Sequence, residues 1–482
     1  MTNDPTSTYP PAPDLSAADV RDAIQKSGAP RPIFVVLDDD PTGTQSVADL
    51  PVLTAWTGED FAWAFAQDPD AIYVMTNSRS LSPADAEAVT RDVVSAANAA
   101  AAADASLDRP LAFVSRSDST LRGHFPLEPD TIADCVREAG GHVDGIVVVP
   151  AFPDAGRITV GGMHYAKVGD EFVPAGDTEF ARDKSFGYTS SRLADWVEEK
   201  TGGAIPASSV TTIDLAAIRT DPAAVQAAVD SLDGGVLAPD IATEEDLRAL
   251  SLALIKAEAA GKSFIYRVGP PFVRARIGMD VPTPLTSEEV DASRAAASPS
   301  DARPQVPGGL VVVGSHVDLT TRQLAGLMEA GDVPRIEIDV PTVIDPATRD
   351  AHVADVAARA IDALSAGTAI VTTSRQLVSG ADADSSLAIS RDVSAAVVDV
   401  VQQVIAAVIP RFVIAKGGIT SSDVASKGLS IRHARVVGPM LPGIVSLWSP
   451  ADGPAAGVPY IVFAGNVGDE TSLRAVVDTL SA

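Results

Sequence analysis

Basic residues and cysteine are scarce in this sequence, and each scarcity excludes something. Lysine and arginine total 36 against 64 aspartates and glutamates, a formal charge of −28. A field of that sign repels nucleic acid and anionic membrane, so neither is expected as a partner. Any anionic ligand must then meet a local cluster of arginine, lysine or backbone N–H groups. The one cysteine, Cys135, rules out an internal disulfide and any CxxC metal knuckle, and it suits a reducing compartment. No apolar run approaches the roughly 18 residues that a membrane span needs. The opening segment MTNDPTSTYPPAPDLSAAD has neither the basic nor the apolar region of a signal peptide, so a cytoplasmic protein is expected. The GxGxxG fingerprint of dinucleotide sites is missing as well. AAGKS at 259–263 imitates the end of a P-loop, but Lys256 stands where the first glycine belongs and no strand leads in. His164, His316 and His433 lack metal-like spacing and read as polar or packing residues.

With 482 residues, 46% hydrophobic and 21% charged, the composition is globular and calls for more than one core. Short apolar runs recur, each ending in polar or glycine-rich residues: PIFVVLDDD, AIYVMTNSRS, LAFVSRSDST, GIVVVPAFPDAGR and SFIYRVGPP. Alanine-rich helical stretches lie between several of them. In SPADAEAVTRDVVSAANAAAAADA, Ser82 is the expected N-cap and Pro83 the first helical residue. The alternation predicts a parallel α/β sheet covered on both faces, with active groups at the carboxyl ends of its strands. Residues 281–308 lose this pattern and have the Pro, Ser, Ala and charge of a linker. A second α/β set follows, with GLVVVGSH, TAIVTTSRQ, RFVIAKGGITSS, ARVVGPMLPGIVSLW and PYIVFAGNVGD. The expected organisation is a flexible tail over 1–30, a first domain over 31–280, the linker, and a second domain over 309–482. Both domains are expected to be α/β with mainly parallel sheets, and the active site to lie in the cleft between them.

VLDDDPTGTQ, from Val36 to Gln45, places three carboxylates at a strand end. Asp38, Asp40 and Thr42 satisfy hhhhDxDxT, the opening of haloacid-dehalogenase-like phosphatases, in which the first aspartate attacks phosphorus. That chemistry also needs a later lysine and an acidic pair; Lys416 and Asp469-Glu470 stand far away in the second half. The same residues could instead form a solvated turn. SRSDSTLRGH, Ser115–His124, packs Arg116, Asp118 and Arg122 among hydroxyls after the strand LAFV, which suits a small acid-sugar pocket: planar donors for a carboxylate and acceptors for a polyol. It could also be a capped helix start. TNSRS adds Arg79, and PAFPDAGRITVGGMHY adds Asp154, Arg157 and His164. In the second half, VVVGSH, AKGGITSS, GPMLPG and FAGNVGD offer exposed N–H groups that can wrap phosphates without many cations.

Taken in order, these segments resemble the four-carbon acid sugar kinases, which join a sugar-binding N-terminal domain to a nucleotide-binding C-terminal domain. The shared segments are Asp39-Asp40-Pro41-Thr42-Gly43, Ser78-Arg79, Ser117–Gly123, Pro150–Pro153 with Gly156-Arg157, Gly314-Ser315, Thr373–Arg375, Gly417–Ser421 and Gly465–Gly468. The resemblance implies transfer of the γ-phosphoryl group of ATP, with Mg²⁺, to a hydroxyl of a short acid sugar such as a tetronate or 3-oxo-tetronate. Within it, Asp39 or Asp40 takes the hydroxyl proton or holds Mg²⁺, as base rather than nucleophile. Arg79, Asp118, Ser119, Arg122 and Arg157 bind the acid sugar. Ser315, Gly417, Gly418, Thr420, Gly465 and Asn466 cradle the nucleotide. Metal ligands are not assigned. Two positions depart from the family pattern: Ser46 stands where many members have an acid, and Ile419 where many have Asp or Glu, leaving Asp423 as its nearest substitute. A phosphatase and a non-catalytic sugar-acid sensor are the alternatives. Substrate stereochemistry, the phosphorylated carbon and oligomeric state lie outside the sequence, and a homodimer is left open.

Overall fold

Strands such as IFVVLD, AIYVM and GIVVV are buried at every residue, on both pleat faces, as in a sheet covered by helices on each side. A computed structural model describes residues 4–296, 302–329, 331, 333–375, 378 and 383–482. The chain divides into two compact units, Met1–Val281 and Pro282–Ala482.

In the first unit the strands are β1 Ile33–Asp38, β2 Leu50–Leu53, β3 Ala71–Met75, β4 Leu111–Arg116, β5 Gly145–Val149, β6 Arg157–Val160, β7 Met163–Val168, β8 Glu171–Pro174, β9 Thr211–Ile213, β10 Gly235–Pro239 and β11 Phe264–Val268. Eight of them form a parallel sheet in the order β2-β3-β1-β4-β11-β5-β10-β9. Because β1 lies between β3 and β4, successive connections run to opposite sides of it. That switch opens a crevice at its carboxyl end. The helix Pro83–Ala103 begins as its sequence predicts, with the Ser82 hydroxyl accepting from the Asp85 amide and proline in the first turn. The core packs Phe61, Phe113, Ile132 and Trp196 with the inner strand residues, and Phe125 stacks on Trp196 at 4.5 Å.

Three features differ from the sequence expectation. Part of the expected tail is a helix, Ala17–Ser27, because Ser16 and Asp19 form a capping box and Ala17 and Val20 are buried. A helix, Ser287–Ala296, lies within the linker segment, where Val290 joins the core of the second unit. PAFPDAGRITVGGMHY is not only a strand end: β6, β7 and β8 form a small antiparallel sheet, and Arg157 opens its first strand. Gly161 and Gly162 sit at positive φ between β6 and β7, giving the tight reversal that joins them.

The second unit contains β12 Leu310–Val313, β13 Arg335–Ile338, β14 Ala369–Thr373, β15 Val413–Lys416, β16 His433–Leu441, β17 Val445–Pro450 and β18 Tyr460–Phe463. Within the unit the order is β13-β14-β12-β15-β18-β17-β16; the first five are parallel, and β17 and β16 add an antiparallel hairpin. β12 lies between β14 and β15, so a switch point recurs here.

Candidate active site

At the first switch point the three aspartates have three different environments. Asp38 is buried and paired with the Arg116 guanidinium. Burial pushes its carboxyl up to about 7, even with Arg116 beside it. Asp39 takes a bidentate pair from Arg79, with Nε to Oδ2 at 3.0 Å and Nη2 to Oδ1 at 2.6 Å, and Arg116 lies 3.4 Å from the same Oδ1. Asp40 is the most open, with 21% of its side chain exposed, and its Oδ1 caps the following turn by accepting from the Thr42 amide at 2.9 Å. Burial opposes its charge, but Arg79, Arg116 and Thr42 together hold its carboxyl below the usual range. Gly43 follows because nothing larger fits: a Cβ there would lie 2.2 Å from Asp38 Oδ2 and 2.3 Å from Arg116 Nε.

The segment after β4 lies beside these groups. Arg122 Nε donates to Asp118 Oδ2 at 2.7 Å, and Nη1 is 3.7 Å from Asp183. Asp118 is half-buried, and Arg79 and Arg122 hold it far below the usual carboxylate range, so Arg79 links the two ion pairs electrostatically. Four carbonyls of the segment are tied to the protein interior. Arg267 donates to Asp118 O at 3.4 Å and Arg122 O at 3.0 Å, His164 Nε2 to Ser119 O at 2.7 Å, and the Tyr188 hydroxyl to Thr120 O at 2.6 Å. His164 is neutral: burial drives it down to about 4, so Nε2 carries the proton and Nδ1 accepts from Thr159 at 3.0 Å. Among the described residues, the amides of Ser119, Thr120, Arg122 and Gly123 donate to no protein acceptor, which leaves a run of N–H groups for an anion. Arg157 keeps a buried Nε without a partner.

Sequence reasoning missed several of these groups. Arg267 stands inside the apolar strand FIYRV, and a buried charge in such a run was the available signal. Glu128 is buried in a helix, accepting from Ser78 and, at 2.8 Å, from Ser115; burial and the charge of Asp39 raise it to about 7. No local pattern marked it. The phosphatase expectation fails on Asp38, whose carboxylate is sealed against Arg116 and offers no open nucleophile.

In the second unit, Ser315, Gly417–Thr420 and Gly465 follow the adjacent strands β12, β15 and β18. Close approach sets the small residues here. A Cβ on Gly314 would meet Thr420 Oγ1 at 2.3 Å, one on Gly465 would meet Ser315 Oγ at 2.6 Å, and Gly417 has φ +123° with Ser315 and Thr420 each at 3.2 Å. Thr320 donates to Gly465 O at 2.9 Å, and Arg375 Nη1 to Ser315 O at 2.5 Å. Beside this cradle is a largely apolar cavity of 220 Å³, lined by Val340, Val393, Val397, Ile419 and Thr420. Ile419 is 63% exposed, and Asp423 is engaged by Lys427 at 2.7 Å and by Ser394. Asn466 is exposed on the loop after Gly465. Among the described residues no three His, Cys, Asp or Glu side chains cluster as a metal cage.

The geometry thus defines a protein of two α/β units, each with polar groups at a switch point: ion-paired arginines and carboxylates in the first, glycine, serine and threonine in the second. A sugar-binding N-terminal domain matches residues 34–276 and a nucleotide-binding C-terminal domain residues 310–473; the chain belongs to the family that joins them, the architecture of the four-carbon acid sugar kinases. A D-erythronate kinase of Heliobacterium modesticaldum is 30% identical over 322 residues, covering 65% of this chain and 64% of that protein. A D-threonate kinase of Bordetella bronchiseptica is 34% identical over 170 residues, 34% of this chain and 38% of that protein. The chain therefore matches less than two thirds of the length of either relative. A crystal structure of a Haemophilus influenzae protein of family DUF1537 shares the fold, with TM-score 0.60 and 17% identity over 92% of this chain and 100% of that one.

Proposed function

We propose that the protein is an ATP-dependent kinase that phosphorylates a hydroxyl of a short acid sugar of the tetronate type. The observation that carries this reading is the pair of linked ion pairs, Asp39–Arg79 and Asp118–Arg122, at the switch point of a sugar-binding domain. Asp39 has both oxygens on Arg79 and acts by holding that guanidinium in place. Asp40, the open carboxylate, is the group left to accept the hydroxyl proton. The substrate carboxylate is received by Arg122, Arg157 and the free amides of Ser119, Thr120, Arg122 and Gly123, and its hydroxyls by Asp118 and the neighbouring serines. In the second unit, Ser315, Gly417, Gly418, Thr420, Gly465 and Asn466 take the phosphates, and the apolar cavity beside them takes the base.

Phosphoryl transfer consists mainly of alignment and charge neutralisation, which is why paired arginines and preset N–H groups suffice without a protein nucleophile. Mg²⁺ in such reactions is held by one or two carboxylates together with the phosphates. Asp40 is open enough to meet it, and since a carboxylate on Mg²⁺ is a weaker base, Asp40 would serve either as metal ligand or as proton acceptor. The reading is tested by ADP release with Mg-ATP over a panel of four-carbon acids, beside Asp40→Asn. Acid-dependent ADP release in the parent, lowered by about two orders of magnitude or more in the variant, is the expected result. Tight binding of an acid without turnover would make the protein a sensor instead.

A further inference from the structure

Lys416 ends the strand VIAK with its side chain fully buried. Its ammonium donates to the Ala464 carbonyl at 2.6 Å and lies 3.9 Å from the centre of the Phe463 ring. Two N–H groups remain, and among the described residues no acid is paired with it. The flanking strands β12 and β18 bring Val313 and Phe463 into register with it. Asp423, the acid of the short helix that follows, is bound to Lys427 and Ser394. Burial alone moves the lysine down to about 7, with no opposite charge to restore it.

A buried cation without a partner is costly, and native proteins rarely carry one unless something else completes the pair. The surroundings show what that is. The residue after Lys416 is Gly417, and the residue after its acceptor Ala464 is Gly465. These are two of the glycines whose close approach to Ser315 and Thr420 builds the cradle.

We propose that Lys416 is the counter-charge of the nucleotide cradle: its ammonium, held on the carbonyl of the peptide that leads from Ala464 into Gly465, offsets the charge of the phosphate chain seated on Gly417 and Gly465. The proposal rests on the nucleotide reading of this unit and deepens it, since it says how an acidic protein attracts an anion to a loop built of glycine, serine and threonine. Lys416 is a positioning residue, acting through the field it sets up and through its grip on Ala464. It favours phosphorylated ligands over bare nucleosides.

The test is calorimetric titration of the full chain with ADP at about pH 7, in buffers of different ionisation heat, for the parent, Lys416→Arg and Lys416→Met; thermal melts report folding. If the phosphates complete the charge of Lys416, the parent takes up a fraction of a proton on binding that Lys416→Arg does not, because an arginine is charged beforehand. Lys416→Arg should stay within about threefold of the parent affinity, and Lys416→Met should lose about tenfold or more while still melting cooperatively. Equal proton balance in the parent and Lys416→Arg, or undiminished ADP binding by Lys416→Met, overturns the proposal and leaves the nucleotide reading standing. Should Lys416→Met fail to fold, the proton balance of Lys416→Arg decides alone. A parent protein that binds no ADP refutes the nucleotide reading, and this proposal with it.

Discussion

Removing the Arg79 side chain strands a carboxylate. Asp39 is 2% exposed at its side chain and Arg79 19%, and two charge-assisted hydrogen bonds of 2.6 and 3.0 Å join them. Each such bond contributes about 1.5–3 kcal/mol, and deleting one partner of a buried pair typically costs about 3–5 kcal/mol. Two features reduce the figure here: Arg116 stays 3.4 Å from Asp39 Oδ1, and water reaches the rim left by Arg79. We expect Arg79→Ala to destabilise the first unit by about 2–3 kcal/mol. Asp39→Asn should also destabilise it, and the double variant should cost less than the sum of the two, with a coupling of about 2 kcal/mol. Urea unfolding read through tryptophan fluorescence measures this, since Trp196 is buried in that unit. The same Arg79→Ala protein should lose acid-dependent turnover by about a hundredfold or more, because Arg79 holds Asp39 in place and also faces Asp40 at 3.6 Å. An additive double variant, or a loss below about 0.5 kcal/mol in Arg79→Ala, would refute the idea that the pair is a closed, desolvated unit.

Gly43→Ala places a methyl group 2.2 Å from Asp38 Oδ2 and 2.3 Å from Arg116 Nε, atoms fixed in a buried ion pair. It should cost about 1–3 kcal/mol, seen as a lower urea midpoint at unchanged slope, and should weaken turnover. Glu128→Gln should change how stability depends on pH. The folded-state value of about 7 lies above the ordinary 4.5, so folding binds a proton, and stability falls as pH rises between those values. Asp38 acts in the same direction, and His164, lowered to about 4, in the opposite one, raising stability between about 4 and 6.5. The difference between parent and Glu128→Gln isolates the glutamate and should slope downward by on the order of 1 kcal/mol per pH unit over that window; a flat difference would show that Glu128 stays ionised.

The candidate groups at the strand ends were legible because parallel α/β sheets deliver their polar residues to one edge, and the run after each apolar strand is short enough to quote. Asp39, Asp40, Arg79, Asp118 and Arg122 follow from that logic, as do Ser315, Gly417 and Gly465. Arg157 was named from the same logic but sits on a β-hairpin, because the glycine pair at 161–162 turned the chain back before it could become a helix. Glu128 escaped notice because a single acid on an amphipathic helix looks solvent-facing until its partners Ser78 and Ser115, 50 and 13 residues away, are folded against it.

The sequence by itself determined the alternation of strand and helix, and with it the edge at which ligand groups collect, since burial on two faces and right-handed crossovers leave few other arrangements. It also determined which residue types stand there. What only the tertiary structure decided is the division of labour among three adjacent aspartates: one sealed on Arg116, one clamped by Arg79, one open. The charge state of Lys416 was likewise undecided until neighbouring strands removed it from water. Both are long-range electrostatic outcomes. They depend on which charges and how much water the fold brings within a few ångströms, and no local pattern of residues contains that distance.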